Sequence, residues 1–210
     1  MYHRTNVPLY HLIIENNMTE IMMNKNAKLS QHLASPSEAT LSQTSELDGL
    51  RLSPHFTLGE LTKTSYDTLD KNIPSRVAIE NLRNICENWL EDLRYSYNAL
   101  YGDSGVIPIV ISSGYRSEEV NRLCGGAKGS NHLTGCAVDI RCYGPEHMIR
   151  MASILLDIAD GTRRDFDELI LEKRGTTYWI HFAVRPEDCS ATKGYACQSK
   201  NRRKILFDCR

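Results

Sequence analysis

No glycine precedes Gly49 in this 210-residue chain. Residues 1–50 are rich in Asn, Ser, Thr and Met and keep neither helical nor strand periodicity, so they offer no core-forming face. They are expected to be an extension, disordered or loosely helical. No apolar run is long enough to span a bilayer, so no stable membrane insertion is expected. The apolar segment from Val7 to Ile14 is broken by His11, followed by Glu15 and two asparagines, and lacks a small-residue cleavage site. A signal peptide is therefore not expected, and synthesis in the cytoplasm is. An excess of one charge is also missing. The 25 basic and 26 acidic residues leave a net charge of −1, which gives no reason to expect a nucleic-acid partner. No C-x-x-C pair occurs among the seven cysteines. This excludes a zinc ribbon, and the odd number excludes a complete disulfide framework, leaving reduced thiols as the simplest expectation. Cys189 and Cys197 are the two that could pair in an oxidising space.

What is present is the balance of a soluble globular protein, 41% hydrophobic and 24% charged, with room for one domain and extra segments. Order is expected from about Leu52. Thr57-Leu-Gly-Glu60 has the spacing of a capping box, with Phe56 and Leu61 placed as a hydrophobic staple. After Pro74 an apolar stripe of Ile79, Leu82, Ile85, Trp89, Leu93 and Tyr97 predicts a longer helix and puts Trp89 in the core. Ile107–Ser112 reads as a buried strand, Ser117 with Glu118 and Glu119 as a helix start, and Gly135–Cys142 as a strand. Pro145–Ala159 reads as a helix with Gly161 past its end. Phe166–Glu172 and Tyr178–Val184 read as two strands joined at a turn containing Gly175. Early helices and late strands predict an α+β fold, an antiparallel sheet flanked by helices. The domain is expected over residues 51–188. From Lys193 to Arg210 six basic residues stand against Asp208 alone, so 189–210 is expected to be a solvated basic tail.

Two segments carry chemistry. Between His132 and Asp139 lies Gly135, which lets the chain turn from a loop into a strand. In that strand Ala137 and Asp139 share one face, while Cys136, Val138 and Ile140 share the apolar one. A carboxylate in so apolar a strand is costly to bury unless it is paired, hydrogen-bonded or bound to metal. In Tyr178–Val184, Ile180, Phe182 and Val184 face the core, and Trp179 and His181 face the other way. If the two strands are neighbours, imidazole and carboxylate converge, and His132 at the preceding turn completes three ligands with a fourth position open, as catalytic zinc requires. Gly125-Gly126 is expected to be a turn, because no G-x-x-x-x-G-K-[ST] follows.

These segments resemble a known family. Ser130-Asn-His132-Leu-Thr-Gly135-Cys-Ala137-Val-Asp139 matches the Ser-x-His-x-x-Gly-x-Ala-x-Asp motif of the zinc D-Ala-D-Ala carboxypeptidases and related phage endolysin peptidases. Ser113-Gly-Tyr-Arg116, the Gly125-Gly126 pair, Trp179-Ile-His181 and the opening segment at residues 55–61 are similar to theirs, over about residues 52–184. The resemblance implies a hedgehog/DD-peptidase fold, one zinc ion per chain on His132, Asp139 and His181, and peptidoglycan peptides as the partner of a monomeric enzyme acting at the cell wall after release. It implies that Arg116 faces the metal. Many relatives carry an acidic residue three positions before the last histidine. Here that position is Tyr178, so Glu172 is the candidate base, with Asp167 and Glu168 behind it. Ser130, Tyr115 and Trp179 are candidate substrate contacts. Hedgehog signalling domains share the fold and a zinc site yet bind rather than cut, so a zinc-stabilised recognition module is the rival expectation.

Overall fold

The structure, a computed structural model, describes residues 48–68, 72–102, 105–184 and 204–209. The expectations for residues 1–47 and for Cys189 and Cys197 lie outside these residues. A five-stranded sheet is made of β1 (Ile111–Ser113), β2 (Ala137–Cys142), β3 (Glu168–Arg174), β4 (Thr177–Ala183) and β5 (Lys204–Cys209), in the order β1-β2-β4-β3-β5. The helices are α1 (Leu58–Thr62), α2 (Arg76–Ile85), α3 (Glu91–Tyr101), α4 (Glu118–Leu123) and α5 (Pro145–Thr162). Among the described residues none is long and apolar enough to cross a membrane.

Strand alternation sorts the sheet into two faces. Val138 and Ile140 of β2, Ile180 and Phe182 of β4, and Leu169 and Leu171 of β3 are buried in the core. The stripe that predicts the long helix is there too: Leu82, Ile85, Trp89, Leu93 and Tyr97 are buried, and Trp89 meets Phe182 edge-on at 5.0 Å between ring centroids. From Ile85 to Tyr97 the stripe advances in four-residue steps, which on an ideal helix drift about 120° around the axis. A π turn at Cys86–Leu90 joins α2 to α3 and, by winding more slowly, takes up most of that drift. α5 packs on α3 and β4. Burial holds the Cys86 thiol protonated and pushes that of Cys142 up to about 12, so both serve as core residues.

Local signals set the edges of several elements. Thr57 and Glu60 form both halves of the capping box at α1, and Ser117 caps α4. β3 and β4 are joined through Gly175, which has φ 59. Four expectations are corrected. The first strand is Ile111–Ser113 rather than Ile107–Ser112. Ile107 gives its N–H to Asn98 Oδ1 (2.6 Å) and its carbonyl to Asn98 Nδ2 (2.9 Å), and Pro108 has no N–H to offer a ladder. Gly161 lies inside α5, which ends instead on Arg163 in the left-handed region. The sheet is mixed, because β5 runs parallel to β3. Its residues are therefore sheet rather than solvated tail: the apolar run Ile205-Leu206-Phe207 has the character of a strand, whatever the basic residues before it. Leu50 belongs to the folded part, its carbonyl accepting a hydrogen bond from Leu58 N at 2.7 Å and its side chain packing against the core.

Truncation before Lys204 strips the ladder from the outer edge of β3. The shortened protein is predicted to melt at least about 3 °C lower in a circular-dichroism scan, the shift that roughly 1 kcal/mol produces in a domain of this size. An unchanged melting temperature would return residues 204–209 to the status of a tail.

Candidate metal centre

His132 sits in a 3₁₀ turn, Asn131–Thr134. Ser130 caps the turn, its hydroxyl accepting from His132 N at 3.4 Å. Gly135 ends it with φ 72, and a Cβ there would strike the carbonyl oxygen of Ala78, so only glycine suits the position. The chain then enters β2, where Asp139 lies directly opposite His181 of β4. Gly114 approaches α1 so closely that a Cβ would meet the Leu61 carbonyl, and its own carbonyl lies 2.6 Å from His132 Nδ1.

These contacts set the tautomers. His132 donates from Nδ1 to Gly114, leaving Nε2 bare. His181 turns Nε2 toward Glu168 Oε2 at 3.4 Å, leaving Nδ1 bare. The bare nitrogens stand 3.2 Å apart, and Asp139 Oδ1 is 3.2 Å from His132 Nε2 and 3.0 Å from His181 Nδ1. Three acceptors directed at one another repel unless a proton or a cation lies among them. The donor set, two imidazoles and one carboxylate, fits a divalent transition metal such as zinc with a position left open.

The charge balance shows the same strain. Burial pushes the Asp139 carboxyl up, but His132, His181 and the Arg116 guanidinium overcome it and hold the group well below the usual carboxylate range. Burial pulls His181 down, but hydrogen bonds to Asp139 and Glu168 raise it to about 9. Without metal, one proton on His181 thus fills the place a cation would take. Arg116 donates from Nη2 to Asp139 Oδ2 and from Nε to Ser113 Oγ (2.8 Å), which fixes the carboxylate with Oδ1 on the histidines.

The centre opens into a polar cavity of about 850 Å³. Glu172 and Trp179 line it as an opposed pair on β3 and β4, and the indole N–H donates to Glu172 Oε2. Burial raises the Glu172 carboxyl, and the nearby Asp139 and Asp208 add to this against the lowering effect of Trp179 and His181. Ser130 and Arg116 also line the cavity; Tyr115 does not, and packs instead against the core. Asp167 is buried away from the cavity, while Glu168 lies in it behind His181. Gly125 and Gly126 close α4 with the paired bonds of a Schellman motif, Gly126 N to Asn121 O and Gly125 N to Arg122 O, which makes them the expected turn. Asp208 was not anticipated. β5 places it beside Glu172, and its one available signal was its position as the single acid after an apolar run.

A fold that sets two histidines and an aspartate around one point, with a half-buried glutamate in the same cavity, has the parts of a metal-dependent hydrolase. A model of the peptidase M15 family matches residues 54–166, more than half of the chain. The chain belongs to the peptidase M15 family. The matched span holds the Ser113–Arg116 segment, His132 and Asp139; Glu172, Trp179 and His181 follow it. No curated protein matches the chain.

Metal loading has to displace the His181 proton. In the metal-free protein that proton's contribution to stability is complete below about 6.5 and is lost as pH rises through about 9. Metal uptake is therefore predicted to release about one proton from His181 near pH 7 and progressively less above pH 9. Calorimetry in buffers of different ionisation enthalpy reads this directly. Proton release that is the same at pH 7 and pH 9.5 would contradict a His181 proton that the metal displaces.

Proposed function

We propose that this peptidase is zinc-dependent and hydrolyses the stem peptides or cross-links of peptidoglycan, acting as a monomer at the cell wall. The hedgehog/DD-peptidase fold and the D-Ala-D-Ala carboxypeptidase or endolysin type of activity follow from the motif resemblance. The observation that supports metal-assisted hydrolysis most strongly is the convergence of His132 Nε2, Asp139 Oδ1 and His181 Nδ1 inside a cavity that also holds Glu172.

Zinc, when bound, supplies Lewis acidity toward a carbonyl oxygen and toward water. The chain supplies the rest. Glu172 takes a proton from the attacking water and gives it to the leaving amine. Its raised affinity for protons suits both halves of that task. The Trp179 N–H holds Glu172 Oε2 and so orients the carboxylate in the cavity wall. Arg116 keeps Asp139 in place and adds positive charge where the tetrahedral oxyanion develops. Ser130 caps the His132 turn and lines the cavity, where it is in place to contact substrate. The recognition-module alternative gives no role to a half-buried glutamate on the site face.

Glu172→Gln keeps an oxygen to accept from Trp179 and removes the proton acceptor. Zinc content and melting temperature are predicted to stay at wild-type values, while cleavage of purified stem peptides, followed by mass spectrometry, falls about 10²–10⁴-fold. Equal activity of the variant and wild type would move the base elsewhere. A wild type that binds zinc yet cuts no wall peptide would favour the recognition module.

A further inference from the structure

Glu168 stands on the same face of β3 as Ile170 and Glu172, two positions before the residue that opposes His181. Its direct partner across the ladder is Ala183, whose small side chain leaves room for a diagonal reach toward His181. There Oε2 lies 3.4 Å from His181 Nε2. The same oxygen accepts from Asn131 Nδ2 at 3.2 Å. Asn131 immediately precedes His132 and is itself anchored, its carbonyl accepting from Cys136 N at 2.9 Å and Thr134 Oγ1 at 3.1 Å. One carboxylate therefore touches the ring of the third ligand and the turn that carries the first.

We propose that Glu168 is a positioning residue of the metal centre: it locks the His181 ring with Nδ1 inward and ties β4 to the His132 turn, so that His132 Nε2 and His181 Nδ1 already face each other before any metal arrives. The inference rests on the reading that His132, Asp139 and His181 hold a divalent metal. An imidazole whose outer N–H is held by a carboxylate is fixed in tautomer and orientation and is a stronger donor at its other nitrogen. The Glu168 side chain is only 25% exposed, so water screens the contact weakly. The geometry also separates Glu168 from the proton-transfer role. Its oxygen lies at the Nε2 edge of the ring, away from the point where Nδ1, His132 Nε2 and Asp139 Oδ1 converge.

The test uses the full chain and zinc itself. Zinc affinity is measured by competition with a chromophoric chelator for wild type, Glu168→Gln, Glu168→Ala and Glu172→Gln, with a melting scan on each. Glu168→Ala is expected to bind zinc about 10–100-fold more weakly. Glu168→Gln is expected to fall between the two, because its amide oxygen still accepts from Nε2–H but carries no charge. Peptide cleavage by Glu168→Ala is expected to fail at limiting zinc and to recover as zinc is added. Glu172→Gln is expected to bind zinc like wild type. Wild-type affinity in both Glu168 variants would overturn the proposal. So would unchanged affinity with activity that added zinc does not restore, the signature of a base. A wild type with no zinc affinity would overturn the metal reading beneath it, which is a different result from either.

Discussion

Two imidazole nitrogens and a carboxylate oxygen stand within 3.2 Å of one another, and without metal a proton on His181 lies among them. Without a proton or a cation there they would part, because desolvated acceptors of like polarity repel. The structure holds them from behind. Gly114 takes the outer proton of His132, Glu168 takes that of His181, and Arg116 takes the second oxygen of Asp139. Gly114 and Arg116 come from the loop after β1 and Glu168 from β3, so the arrangement survives only while that loop, the His132 turn, β2, β3 and β4 keep their mutual register. A site that directs three donor atoms at one point suits a divalent cation with a position left open.

The energy that maintains the register comes from the opposite face of the sheet. Val138, Ile140, Ile180 and Phe182 flank Asp139 and His181 in sequence and are fully buried against the helices. A one-residue slip of β2 or β4 would carry these side chains out of the core and the ligands into it. The apolar pattern thus aims the polar one. Two close backbone approaches complete the geometry. Gly114 lies on α1 and Gly135 on α2, and each brings a segment of the site nearer to a helix than any side chain would allow.

Much of this was legible in the sequence because it depends on short spans. The capping box at Thr57, the helix cap at Ser117, the glycine between His132 and Asp139 and the two-residue alternation around Asp139 and His181 are all set by neighbours within a turn or a strand. The parts that were not legible depend on distant partners. Asn98 claims the backbone of Ile107 and so delays β1. β5 becomes a strand because β3 has an open edge, a fact held far away in the chain. Its arrival brings Asp208 next to Glu172, which no spacing rule predicts. Glu168 was recognisable as an acid near the site, but whether it faces the reacting atoms or the back of a ligand depends on which ring nitrogen of His181 points inward.

That ring orientation decides which nitrogen of His181 meets the ion. Crystals of the zinc-loaded protein, measured on both sides of the zinc absorption edge, would locate the ion by its anomalous signal. The account predicts a single peak bonded to His132 Nε2, Asp139 Oδ1 and His181 Nδ1, each at about 2.0–2.2 Å. A peak elsewhere in the chain, or one bonded through His181 Nε2 on the Glu168 side, would contradict it.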